Sequence, residues 1–217
     1  DTLQFMHMVR RSIGDRPETV VCFELPEVTR ILKECAFWDL YYEHCSYFSP
    51  GSLARLFRKS GFRVLGLETE YGDQYLTIEA KPDDGAPDKP LEAEQDMEKL
   101  ADYVTSFPKR CEEKVGMWRD RLDTWSNEGK KVVLWGSGSK GVSFLTSVDA
   151  DRRVEYVVDI NPYRQGYYMS GTAQQIVAPQ FLKEYQPDVV VVMNAIYCDE
   201  IGRDLRDLGL EPQIVAV

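Results

Sequence analysis

The chain has 217 residues, 43% of them apolar and 12% aromatic, enough to bury the core of one large domain or two small ones. Its formal net charge of −10 excludes general nucleic-acid binding, which needs clustered Lys and Arg, yet leaves room for an anionic ligand held by local cations and backbone amides. No stretch reaches the roughly 18 apolar residues of a membrane span, and no basic-then-apolar leader opens the chain, so a cytoplasmic protein with no membrane partner is expected.

Leu3 to Ile13 carries apolar residues at helical spacing, and Gly14 can end that helix. Thr19 to Leu25 is a short apolar run closed by Pro26 and suits a buried strand. A second helix is predicted over Val28 to Cys35. Ser49-Pro50 then offers an N-cap followed by proline at the first helical position, opening a helix that stops at Ser60-Gly61. Phe62 to Tyr71 and Gln74 to Lys81 read as two strands of an antiparallel hairpin turned at Gly72-Asp73.

Residues 82–92 hold three of the eleven prolines and four acids, and they read as a linker. Ala93 to Glu128 is charged with spaced apolar residues, the pattern of one or two amphipathic helices broken near Pro108. From Lys130 the pattern alternates. Strands are predicted at Val132 to Trp135, Val154 to Asp159, Val189 to Met193 and Gln213 to Val217, with helices at Lys140 to Ser147, Phe181 to Tyr185 and Ile196 to Leu208. That alternation implies a small, doubly wound, Rossmann-like parallel sheet. The chain thus divides into 1–82, a linker with amphipathic helices at 83–129, and a C-terminal domain at 130–217.

The five cysteines are odd in number and widely spaced, with no C-x-x-C pair; reduced, mostly buried thiols and no metal site are expected. The first residue is Asp1 rather than Met, which suggests a trimmed fragment.

Gly136, Gly138 and Gly141 form G-x-G-x-x-G between a predicted strand and a predicted helix, the context in which such a loop brings backbone N–H groups to a phosphate. Asp159 follows at the end of the next strand, where a dinucleotide enzyme presents an acid to a ribose. Lys140 inside the loop favours an anion. A glycine-rich turn that binds nothing, with a solvated lysine, is the plainer reading, and both stay open.

The second cluster is D-L-Y-Y-E-H-C-S-Y-F-S-P, Asp39 to Pro50. His44 can take a proton near neutral pH, Glu43 beside it can orient the ring or raise its basicity, and a tyrosine hydroxyl can donate to an oxygen gaining charge. A half-exposed histidine in an aromatic loop is the alternative. His7, among apolar residues of a helix, is read as packing.

The order Y-Y-E-H-C-S-Y-F-S-P-G-S-L, S-G-F, Y-G-D-Q-Y-L, V-V-L-W-G-S-G-S-K-G and V-D-I-N-P-Y-R-Q-G-Y-Y-M-S-G-T resembles the sugar C-methyltransferases, which use S-adenosylmethionine on nucleotide-linked keto-sugars. The resemblance covers nearly the whole chain, and its most specific part is Tyr41, Glu43 and His44. It implies the end of a methyltransferase sheet closing in an antiparallel hairpin, followed by a Rossmann-like C-terminal domain. It also implies departures: the family's N-terminal zinc module and the donor-binding glycine loop of its central domain have no counterpart in these residues. By the same resemblance His44 is the base, Glu43 its partner or a substrate ligand, and Tyr41 a donor to the ketone or enolate oxygen. Gly136, Gly138, Ser139 and Lys140 would hold the nucleotide's diphosphate, with Asn194 and Tyr197 as further lining residues. Two other readings remain at this stage, an NAD(P)-binding oxidoreductase and a non-catalytic nucleotide-binding or assembly module.

Overall fold

A computed structural model describes residues 1–85, 89–149 and 151–217. The fold is mixed α/β: a three-stranded antiparallel sheet, a long helix and a five-stranded parallel sheet. The chain divides into two compact units, one of residues 1–36 and 44–108, the other of residues 37–43 and 109–217.

In the first unit, α1 (Thr2–Ile13) precedes β1 (Val21–Pro26), α2 (Val28–Glu34), α3 (Pro50–Lys59), β2 (Phe62–Glu70) and β3 (Tyr75–Pro82). The sheet runs β1-β3-β2, antiparallel throughout. Alternate residues of β2 and β3 turn inward, so Phe62, Val64, Leu76, Ile78 and Ala80 meet Leu53, Ala54 and Phe57 of α3 and Met6 and Ile13 of α1 in one core. α3 starts as its sequence demands. Ser49 Oγ accepts the Ser52 N–H at 3.3 Å, Ser52 Oγ accepts the Ser49 N–H at 2.9 Å, and Pro50 sits where no N–H is required. The hairpin turns through Tyr71, Gly72 and Asp73, all at positive φ. β1 departs from expectation: it lies at a sheet edge and alternates between half-buried and exposed residues rather than being buried.

The expected linker at 82–92 includes residues 86–88, which lie outside the described residues; Pro82 itself closes β3. After a 3₁₀ turn at Glu92–Glu94, α4 (Met97–Asn127) runs 31 residues without the break expected at Pro108. Proline removes one N–H and crowds one carbonyl, a cost of about 3 kcal/mol that a helix of this length absorbs with its other bonds. Of the cysteines only Cys35 is buried; Cys22 and Cys45 are exposed, so the expectation of mostly buried thiols fails.

In the second unit, β4 (Val132–Trp135), α5 (Ser139–Val148), β5 (Val154–Val158), β6 (Gln175–Val177), α6 (Leu182–Tyr185), β7 (Val189–Val192), α7 (Cys198–Asp207) and β8 (Gln213–Ala216) build a sheet of order β6-β5-β4-β7-β8, every pair parallel. β4 and β7 are buried at every residue, as strands covered on both faces must be. One face packs Val133, Trp135, Val190 and Val192 against Leu182 of α6 and Ile201 and Leu205 of α7. Phe144 of α5 stacks with Phe37 at 6.1 Å and meets Trp118 of α4 edge-on at 5.2 Å. The strand order reverses between β4 and β7, which opens a crevice beyond their carboxyl ends.

Candidate functional site

The glycine loop begins where β4 ends. Gly136 takes φ 119°, a region closed to side chains, and donates its N–H to Val158 O at 2.9 Å. Gly138 is the N-cap of α5 and carries no side chain to cap it. Gly141 lies one turn in, and a Cβ there would collide with the Gly136 carbonyl oxygen. Helix and loop approach this closely only because position 141 is bare.

Beyond this loop opens a cavity of about 460 Å³ at the reversal of strand order. Gly136, Gly138, Ser139 and Lys140 form one wall, and Met193, Asn194 and Tyr197, just past β7, form the opposite one. Tyr41 closes a third side. Apolar surface comes from Trp135, Ile160 and Ile201, and two acids of α7, Glu200 and Asp204, stand at the rim.

The segment 37–43 carries the polar groups that meet α5. Ser143 Oγ donates to the Phe37 and Leu40 carbonyls at 3.3 and 3.1 Å. Asp39, buried, holds the Lys140 ammonium at 2.8 Å. Glu43 Oε1 accepts the Ser139 hydroxyl at 2.8 Å. The lysine expected to meet an anion is therefore already partnered, which lowers the charge it offers to the cavity.

Of the residues singled out in the sequence, Tyr41, Gly136, Gly138, Ser139, Lys140, Asn194 and Tyr197 line one cavity, and Glu43 joins them through Ser139. His44 begins the stretch assigned to the other unit. It is half-buried, with its ring edge-on to Tyr47 at 5.8 Å. Asp159 is not among the residues that line the cavity. Burial pushes its carboxyl up, but hydrogen bonds from the Ser137 hydroxyl and the Asn161 and Ser137 N–H groups, with Arg164 nearby, outweigh burial and hold it below the usual carboxylate range. Sequence reasoning missed Glu200 and Asp204. Their signal was spacing: two acids four apart in the helix that follows the switch-point strand share one helix face. Among the described residues no group of three or more His, Cys, Asp or Glu is placed to hold a metal ion, and no helix is long and apolar enough to cross a membrane.

The model for the C-methyltransferase C-terminal domain matches residues 81–211, more than half of the chain. The chain belongs to this family. The match takes in all of α4, the glycine loop and, Tyr41 excepted, the residues that line the cavity. A C-methyltransferase of Streptomyces niveus, NovU, is 25% identical over 194 residues, which are 85% of this chain and 46% of that protein. The chain thus spans about half the length of the relative it matches.

Proposed function

We propose that the chain is the C-terminal part of an S-adenosylmethionine-dependent C-methyltransferase acting on a nucleotide-linked keto-sugar. The observation that carries this reading is the switch-point cavity, which gathers Tyr41, the glycine loop, Asn194 and Tyr197 around space for a small ligand. Family membership and the likeness to NovU support methyl transfer to carbon as the chemistry.

Carbon beside a ketone becomes nucleophilic only when its proton is removed. His44 is the proposed base, and Glu43 orients it or binds substrate; the Ser139 hydroxyl on Glu43 fixes that carboxylate. Tyr41 donates to the ketone oxygen as negative charge develops there. The nucleotide's diphosphate lies against Gly136, Gly138 and Ser139, held by N–H groups at the start of α5 more than by Lys140, whose charge Asp39 offsets. Asn194 and Tyr197 face it from beyond β7.

S-adenosylmethionine does not fit this glycine loop. An adenosyl ribose in a doubly wound domain sets its hydroxyls on the acid ending the second strand, and here that acid, Asp159, is committed to Ser137 and Asn161. The donor's cradle belongs to residues other than these, and the 217 residues alone are proposed not to transfer methyl groups.

The test is His44→Asn in the full-length enzyme. Loss of general-base catalysis is expected to lower kcat by about 10²-fold or more, with loss of solvent-deuterium exchange at the carbon beside the ketone. Methyl transfer at the parent rate would remove His44 from the mechanism.

A further inference from the structure

Asp159 stands at the end of the second strand of the parallel sheet, where doubly wound dinucleotide domains present an acid to a ribose hydroxyl. In this chain its oxygens are taken from within. Oδ2 accepts the Ser137 N–H at 3.1 Å and also the Ser137 hydroxyl, and Oδ1 accepts the Asn161 N–H at 2.8 Å. The Arg164 guanidinium lies 3.5 Å from Oδ2 and 3.5 Å from Ser137 Oγ. The residue is only 9% exposed. One buried carboxylate therefore joins two stretches that frame the same cavity, the glycine loop with Gly136 and Gly138 and the turn that starts at Ile160.

We propose that Asp159 is a positioning residue of the cavity: it latches the glycine loop to the 160–164 turn, and this commitment removes the carboxylate that would accept from the ribose 2′-hydroxyl of NAD. The cavity consequently takes a mononucleotide-type ligand. The latch is independent of methyl transfer; only the ligand clause rests on the proposed function, in taking the cavity as the ligand site. By this geometry a complete G-x-G-x-x-G, in the right strand-to-helix setting, does not by itself seat NAD. The serine between the first two glycines competes for the acid from inside the loop and wins on proximity, since donor and acceptor are already in register.

The experiment has two arms on the intact chain. Hydrogen–deuterium exchange without ligand compares the parent with Asp159→Asn and Ser137→Ala. Asparagine places an NH₂ donor where donors already point, so exchange at 136–141 and 160–165 is expected to rise about tenfold or more, while β7 stays protected. Ser137→Ala removes the hydroxyl alone and is expected to loosen 136–141 with a smaller effect on the turn, which keeps its Asn161 bond. This second variant keeps the test open should Asp159→Asn fail to fold. In the second arm, calorimetry with thymidine and uridine diphosphates and NADH is expected to show saturable binding of a nucleoside diphosphate and none of NADH below millimolar concentration.

Unchanged loop exchange in both variants overturns the latch. Tight NADH binding that Asp159→Asn abolishes overturns it too, by making the acid a ribose ligand. Tight NADH binding that survives Asp159→Asn overturns the ligand clause. Loosened loops with no binding of any probe uphold the latch, overturn the ligand clause and count against the proposed function.

Discussion

Gly138 and Gly141 occupy the same motif for different physical reasons. A Cβ at Gly138 would meet only the Arg164 guanidinium at 3.6 Å, an ordinary contact, whereas one at Gly141 would strike the backbone carbonyl of Gly136. A flexible arginine can move aside, but a carbonyl pinned at a strand end cannot. Gly141→Ala is therefore expected to destabilise the chain by about 1–3 kcal/mol, as overpacking does, while Gly138→Ala stays within about 1 kcal/mol of the parent. Urea midpoints of the two variants check this, and equal losses would show that the motif's glycines are not distinguished by packing. Spacing made this loop legible in the sequence as a tight strand-to-helix turn, because glycines at those intervals follow an apolar run and precede a helical pattern. The partners of Asp159 and Lys140 were not legible. Ser137 lies 22 residues before Asp159, and Asp39 lies 101 residues before Lys140, so no local pattern reports either pair.

At the scale of elements, legibility followed length and period. Four apolar strands and three helices of the second unit stand where alternation of apolar runs and helical spacing placed them, but β6 did not register. Gln175–Val177 is three residues long, too short for a period, and it is a strand only because β5 offers it partners from Tyr156 to Val158. The opposite error occurred at Pro108, where a strong local breaker lost to the helix around it. Trp118, Leu122 and Trp125 place a buried stripe at helical spacing on the C-terminal part of α4, and that packing outweighs one missing hydrogen bond. Pro108 itself is exposed. Restoring the N–H by Pro108→Ala is expected to raise stability, by up to about 3 kcal/mol, with helix content unchanged or higher by circular dichroism. A loss of stability would mean that the proline's geometry is itself required by the packing of α4.

Across the whole molecule, sequence order and spatial grouping diverge at residues 37–43. These seven residues sit in sequence between parts of the first unit yet belong to the second, and they carry Asp39, Tyr41 and Glu43. Their anchor is Phe37, 6% exposed, whose ring stacks on Phe144 and whose carbonyl accepts from Ser143. If that anchor holds the segment, Phe37→Ala should weaken the unit it packs in rather than the unit it adjoins in sequence. The expected cost is about 3–5 kcal/mol, the range for deleting a buried phenyl ring. Peptide-resolved hydrogen exchange discriminates the cases: β4, β7 and α5 should lose protection, while the β2–β3 hairpin, whose core is Phe57, Phe62 and Ile78, keeps its own. Loss of protection in the hairpin with the parallel sheet unaffected would assign the segment to the wrong unit. It would also separate Tyr41 and Glu43 from the glycine loop, on which the proposed site depends.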